Sequence, residues 1–263
     1  MNILVAPFVN LLFGFYYLLG NLGWAVVVVT ILIRVVLLPL VLPTLKSAKK
    51  MRELQPRLAK LQEKYGKNKE ALAKAQMDLY REEGINPLSG CLPQILQIAV
   101  LIMFFSAFNM VTAHLTGKGK VEEINQNLIS YFRIGGDFKF SPWFLGSDLT
   151  TTPSKEVAKG MGWHLVLPLI LLLGSGGLQY WGSKLMMPPA GDKKIDPSAF
   201  AKATADKEDD MMAAMRNQSM YMMPLMTIVI GWNFSIGILL YWFVNSAVMI
   251  GQQAIAERVT SNR

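Results

Sequence analysis

The 263 residues include one cysteine, Cys91, and two histidines, His114 and His164. One cysteine excludes an intramolecular disulfide, and neither histidine has a cysteine or carboxylate cluster beside it, so no metal site is expected. Each histidine is read as an interfacial polar residue. Charge is also scarce. Asp, Glu, Lys and Arg make up 17%, against about 25% in an average soluble protein. The shortage is local: residues 1–33 carry no charged side chain, whereas 46–83 carry seventeen. A soluble helix mixes apolar and charged residues, while a membrane protein separates them into blocks. No basic n-region or small-residue cleavage motif opens the chain, so no signal peptide is expected. With no intramembrane carboxylate, paired histidine or nucleophile–base arrangement, neither an enzyme nor a cofactor is expected.

What the sequence does have is long apolar runs. Residues 1–20 are apolar but broken by Pro7, Asn10 and Gly14, and their aromatic residues favour an interfacial helix lying on the membrane. Residues 22–42 are long enough to span about 30 Å of hydrocarbon. Residues 44–86 change character. Leu54, Leu58, Leu61 and Tyr65, then Leu72, Ala75 and Leu79, repeat at three and four, the narrow seam of a coiled coil. Gly66 between the two runs predicts an antiparallel helical hairpin. Further spans are expected at 90–113, 163–183, 219–233 and 236–257, with loops at 114–162 and 184–218 and a tail at 258–263. The turn between the last two spans falls at Gly231–Ser235, because one continuous helix would be about twice the hydrocarbon thickness. The expected fold is thus an all-α integral membrane protein. It has five transmembrane helices, a cytoplasmic antiparallel hairpin and a preceding interfacial helix.

Lys and Arg set the orientation. The hairpin region holds eleven of them against six acids; the 114–162 loop holds six against five. The hairpin is therefore cytoplasmic, the N-terminus outside and the C-terminus inside. The net charge of +8 suits an anionic lipid surface.

Arg34 is the only charge in its span. Insertion scales price an arginine at a helix centre at about 2.5–3.5 kcal/mol. Snorkelling competes as an explanation, but Pro43 lies nine residues on, about 13 Å away, beyond the reach of the side chain. No acid lies in any of the five spans, so this chain offers no intramembrane ion pair. The solvating groups are then polar side chains, backbone carbonyls and water. Candidates are Thr30 on the same face, Gln94 and Gln97 in the second span, Ser175 and Gln179 in the third, and Tyr241, Trp242 and Asn245 in the fifth. Together they imply a wet, positively charged groove. Taken singly, each is more readily a helix-packing residue than a groove residue, and Gly174–Gly177 is read as a close-packing site.

Several strings resemble the YidC membrane protein insertase family (the YidC/Oxa/Alb superfamily), in a short bacterial-type form. They are TILIRVVLLPL at 30–40, KSAKKMRELQP at 46–56, LQEKYGKNKEAL at 61–72 and LYREEGINPLSGCLPQILQ at 79–97. WFLGSDLTTTP at 143–153, MPLM at 223–226 and ILLYWFVNSAVMIGQQ at 238–253 follow in the family's order. The resemblance implies a bacterial plasma membrane protein that inserts and helps fold client membrane proteins. Clients with short polar or acidic N-terminal tails would enter a groove open to cytoplasm and lipid and meet Arg34. It also implies membrane lipids, the ribosome and the Sec translocon as partners. Two other classes compete on the residues alone: an anion or solute transporter, and a membrane assembly scaffold. Against a transporter stand the hairpin and the lack of an internal repeat.

Overall fold

Asn21 shows how sharply this chain marks its helix ends. Its side-chain oxygen accepts the N–H groups of Gly23 and Trp24, at 2.9 and 3.2 Å, and so starts the first long helix. The structure is a computed structural model that describes residues 4–65, 68–84, 92–115, 119–135, 138, 140–186 and 218–261.

Before Asn21 comes α1 (Ala6–Leu19). Pro7 lies in its first turn, where a missing N–H does no harm, and Gly20 closes it at φ 67°. Fourteen residues reach about 21 Å, too short to cross the hydrocarbon. Phe8, Val9, Leu12 and Phe13 are buried, while Tyr17, Leu18 and Leu19 are exposed. Asn10 donates to the Asn127 carbonyl at 2.7 Å and accepts from the Ile129 N–H at 2.8 Å. That exchange pins α1 to the segment after α5.

The boundary expected at residues 42–44 is not seen. Helix α2 runs unbroken from Leu22 to Glu53, through Pro39 and Pro43. Each proline costs one ladder hydrogen bond, but a proline's fixed φ is itself helical, and transmembrane helices tolerate it. The break comes at Leu54. There α3 (Gln55–Tyr65) begins and is followed by α4 (Lys69–Glu82), which Asn68 caps through the Ala71 N–H at 3.1 Å. Helices α3 and α4 pack together. Leu54, Leu72 and Leu79 are buried, and Leu58, Leu61, Tyr65 and Ala75 are half-buried. The seam read from spacing is therefore the packed face. Tyr80 joins it against Leu54, and Arg57 pairs with Glu83. The expected end of this region at Asn86–Pro87 lies outside the described residues.

Next come α5 (Leu92–Leu115) and α6 (Val121–Asn125). A hairpin of β1 (Trp143–Phe144) and β2 (Ser147–Asp148) and then α7 (Pro153–Ala158) lead to α8 (Val166–Met186). The last helices are α9 (Met223–Gly231), preceded by a wide turn at Gln218–Met222, and α10 (Ile236–Ser261). Most of the expected 184–218 loop lies outside the described residues. The turn expected at Gly231–Ser235 falls between α9 and α10.

Among the described residues, four helices are long and apolar enough to cross a membrane: Leu22–Glu53, Leu96–His114, Trp163–Leu185 and Ile236–Ile255. The expected fourth span is shorter. Met220–Gly231 is apolar but reaches only about 18 Å. Helix α10 packs along both α2 and α8, and α9 packs on α8. Small residues permit these approaches. A Cβ on Gly174 would come within 2.7 Å of Phe243, and one on Gly176 within 2.9 Å of Ile228. Gly174 and Gly176 are thus close-packing positions, whereas a Cβ on Gly177 would meet no atom within 4 Å.

The segment after α5 is more ordered than a polar loop with apolar patches. Its carbonyls satisfy orphan N–H groups at the start of α10: Thr151 accepts from Ile236 at 2.8 Å and Leu149 from Gly237 at 2.9 Å. Ser154 donates to the Trp232 carbonyl at 3.1 Å. Glu156 is buried within this cap and accepts from Lys159 Nζ at 2.6 Å. Burial alone pushes its carboxyl pKa up, but contacts with Lys159, Thr151 and His164 outweigh burial and hold it below the ordinary value.

Two predictions follow from the packing. Gly237→Ala places a Cβ 2.0 Å from the fully buried Phe108, an overpacking that costs about 1–3 kcal/mol. The melting temperature of the detergent-solubilised variant should fall by several degrees. Gly251→Ala, with no atom within 4 Å, should leave it unchanged or slightly raised. The second concerns Glu156. A folded-state pKa below the unfolded one gives stability that is present above the ordinary carboxylate value and lost as pH falls through the lowered one. Amide protection factors across residues 147–165, normalised to the intrinsic exchange rate at each pH, should therefore fall in acid, and Glu156→Gln should flatten that dependence.

Candidate functional site

On α2, Thr30, Ile33, Arg34, Leu37 and Val41 recur at spacings of three and four and so share one face. That face lines a pocket of about 360 Å³, including its open mouth, completed by Leu96, Gln97 and Val100 of α5 and by Tyr241 and Asn245 of α10. Half of its lining residues are aliphatic. Its polar groups converge on one guanidinium.

Arg34 is 9% exposed. Its Nε donates to Asn245 Oδ1 and one Nη to Gln97 Oε1, both at 2.6 Å. A guanidinium only donates, so both amides must turn their oxygens toward it. Among the described residues no carboxylate forms an ion pair with Arg34. Two neutral acceptors satisfy part of the group's hydrogen-bonding capacity and leave its whole charge in place. Of the five N–H bonds that a guanidinium carries, two are taken by these amides among the described residues.

The other expected groove residues divide. Thr30 faces the pocket, but its hydroxyl donates to the Val26 carbonyl of its own helix at 2.6 Å. Tyr241 lines the pocket and stacks on Phe104 with ring centres 4.2 Å apart. Its buried hydroxyl makes no hydrogen bond among the described residues. Ser175 and Gln179 are not among the lining residues. Ser175 is fully buried and donates to the Leu171 carbonyl at 2.5 Å, and Gln179 accepts from Thr227 of α9 at 2.8 Å. Both therefore serve the packing of α8. Trp242 stacks on Phe234 with ring centres 5.9 Å apart, also away from the lining. The side chain of Gln94 lies outside the described residues.

One residue at the site was not anticipated. Gln252 is 6% exposed, and its Nε2 donates to the main-chain carbonyl of Arg34 at 2.9 Å. Its signal in the sequence is a position seven residues after Asn245, on the same helix face.

The chain matches the family described as 60Kd inner membrane protein over residues 14–263. It is 28% identical over 262 residues to the membrane protein insertase YidC of Pelobacter propionicus, covering 99% of this chain and 40% of that protein. It is 30% identical to the protein of that name from Syntrophobacter fumaroxidans, covering 94% of this chain and 36% of the relative. For that from Streptomyces avermitilis the values are 31%, 89% and 51%. The chain thus spans about half or less of the length of these relatives. They carry the name of the family that the sequence strings resemble, and the four apolar spans accord with a multi-pass bacterial membrane protein. Matched over nearly its whole length, the chain belongs to the 60Kd inner membrane protein family.

Proposed function

We propose that this chain is a membrane protein insertase that works through the Arg34 pocket. The observation that carries the reading is a buried arginine held only by neutral amides. Such a site keeps a full positive charge inside the bilayer. A client's short polar or acidic N-terminal tail enters from the cytoplasm and meets that charge, while its apolar helix passes into lipid along the greasy flanks. At roughly 8 Å and an effective dielectric near 20, one acid–arginine pair contributes about 2 kcal/mol. That attracts a tail without trapping it. No bond is made or broken.

In this reading the N-terminus is outside and the C-terminus cytoplasmic, as the basic hairpin requires. The packed pair α3–α4 is the cytoplasmic hairpin, available to client, ribosome or Sec translocon. Helix α1 lies at the outer interface. Helix α9 with its preceding turn is the fourth of five spans, and its shortness favours a locally thinned bilayer beside the pocket. Its exposed Met223, Leu225, Met226 and Val229 suit a lipid-facing or client-facing surface.

The test is insertion of a single-span client with an acidic N-terminal tail into liposomes that hold the purified protein. Arg34→Ala should cut the insertion rate by about tenfold or more, and Arg34→Lys should retain most of it. Equal activity of Arg34→Ala and wild type would sink the charge mechanism. Anion flux through the same liposomes without client would favour a transporter instead. A second prediction follows from the pocket's walls. Asn245→Leu removes an acceptor from the buried guanidinium, so it should lower both the melting temperature and insertion. Trp242→Phe, away from the lining, should lower neither by more than twofold equivalent.

A further inference from the structure

We propose that Gln252 is a positioning residue that fixes Arg34 through its backbone, so that α10 grips the arginine at two points. This inference rests on the insertase reading for its consequence but not for its geometry. Asn245 and Gln252 are seven residues apart on α10 and therefore lie on one face. The first takes the guanidinium Nε at 2.6 Å, and the second donates to the carbonyl of the same residue at 2.9 Å. One side chain fixes the tip of Arg34 and the other its root.

A carbonyl within a helix does not ordinarily need a second partner, since the helix ladder already satisfies it. Here the ladder is interrupted next door. Pro39 has no N–H to give the Val35 carbonyl, and its ring crowds that same turn. The turn that carries Arg34 thus adjoins one of the two proline gaps in a helix that nevertheless continues unbroken to Glu53. Gln252 reaches that turn from outside the helix.

The burial of Gln252 points the same way. Its Oε1 is buried and makes no hydrogen bond among the described residues. An apolar side chain of that size would fill the space without leaving a buried acceptor unpaired. Gln252 has one observed polar contact, and it is to Arg34. Its neighbour Gln253 is as deeply buried, at 4% exposure, with neither amide atom bonded among the described residues. Gln253 faces α8 at Gly182 rather than α2. The two adjacent glutamines therefore form an internal comparison, with the same size, the same depth and only one contact to Arg34.

The experiment uses the full chain in nanodiscs. Gln252→Met keeps length and bulk and removes the donor; Gln252→Ala is the second variant, in case the first does not fold. Gln253→Met is the control. The direct readout is exchange of the Arg34 Nε–H, followed by nitrogen-15 NMR and assigned by its loss in Arg34→Lys. Either Gln252 variant should speed that exchange at least tenfold, and Gln253→Met should change it less than twofold. Unchanged exchange in a folded Gln252 variant overturns the proposal, as does an equal effect of Gln253→Met. If neither Gln252 variant yields a folded protein, the residue is one of packing and the proposal falls.

Insertion supplies the second readout. Gln252→Met should slow an acidic-tail client about tenfold and a neutral-tail client less than twofold. In an Arg34→Ala background it should add less than a further twofold, because the residue it positions is gone. Losses that multiply in that background overturn positioning in favour of general packing. If exchange responds as expected while Arg34→Ala inserts as well as wild type, the grip stands and the insertase mechanism fails.

Discussion

A guanidinium within an apolar helix must be solvated by something, and the choice of solvating group governs the rest of this structure. An acid would neutralise it. A buried ion pair is also hard to open, because parting the two charges leaves each desolvated. Here the partners are Gln97 and Asn245, both neutral, one on α5 and one on α10. Three helices must therefore converge within hydrogen-bonding distance of one residue. That requirement places α2, α5 and α10 around a common pocket, whose lining is half polar and half aliphatic residues. The charge survives because nothing in its surroundings cancels it.

The end of the bundle where α10 begins is closed by backbone chemistry instead. The carbonyls of Leu149 and Thr151 receive the first N–H groups of α10, and the Ser154 N–H binds the Trp232 carbonyl in the turn before it. Buried helix ends need such partners. The short hairpin and α7 supply them while covering the apolar ends with Phe144 and Leu149. Under the proposed function, a capped end and a charged pocket are the two halves that one-sided entry of a tail requires.

Much of this was legible in the sequence, for a physical reason in each case. The apolar runs stood out because a bilayer penalises every unpaired polar group. The hairpin seam stood out because its three-and-four spacing has only one structural use. Arg34, Gln97, Tyr241 and Asn245 were found because a charge in hydrocarbon calls for partners. Ser175 and Gln179 were chosen by the same logic but face α8 and α9 contacts, since periodicity gives the face of a helix and not what lies opposite. The continuation of α2 past Pro43 was hidden because proline reads as a stop, although its ring tolerates a helix that neighbours support. The cap on α10 left no mark, because backbone carbonyls belong to every residue alike. Gln252 was passed over for a related reason: its partner is a main-chain carbonyl.

These elements are ordered along α10. Gly237 allows the helix to meet Phe108, one turn later Tyr241 reaches the pocket, then Asn245 takes the guanidinium, and Gln252 takes the backbone behind it. The opposite side packs on α8, where Gly174 receives Phe243 and Gly182 lies against Met249. A helix so committed on both sides cannot rotate without breaking the cap, the pocket and the glycine contacts together. Helix α9, by contrast, buries Pro224, Thr227 and Gly231 on α8 and exposes much of its remaining surface. The physical division is between a fixed wall that holds a charge in place and a short apolar helix packed chiefly on α8. Under the proposed function, a client crosses at the boundary between them, with its polar tail on the fixed side and its apolar helix on the side of α9.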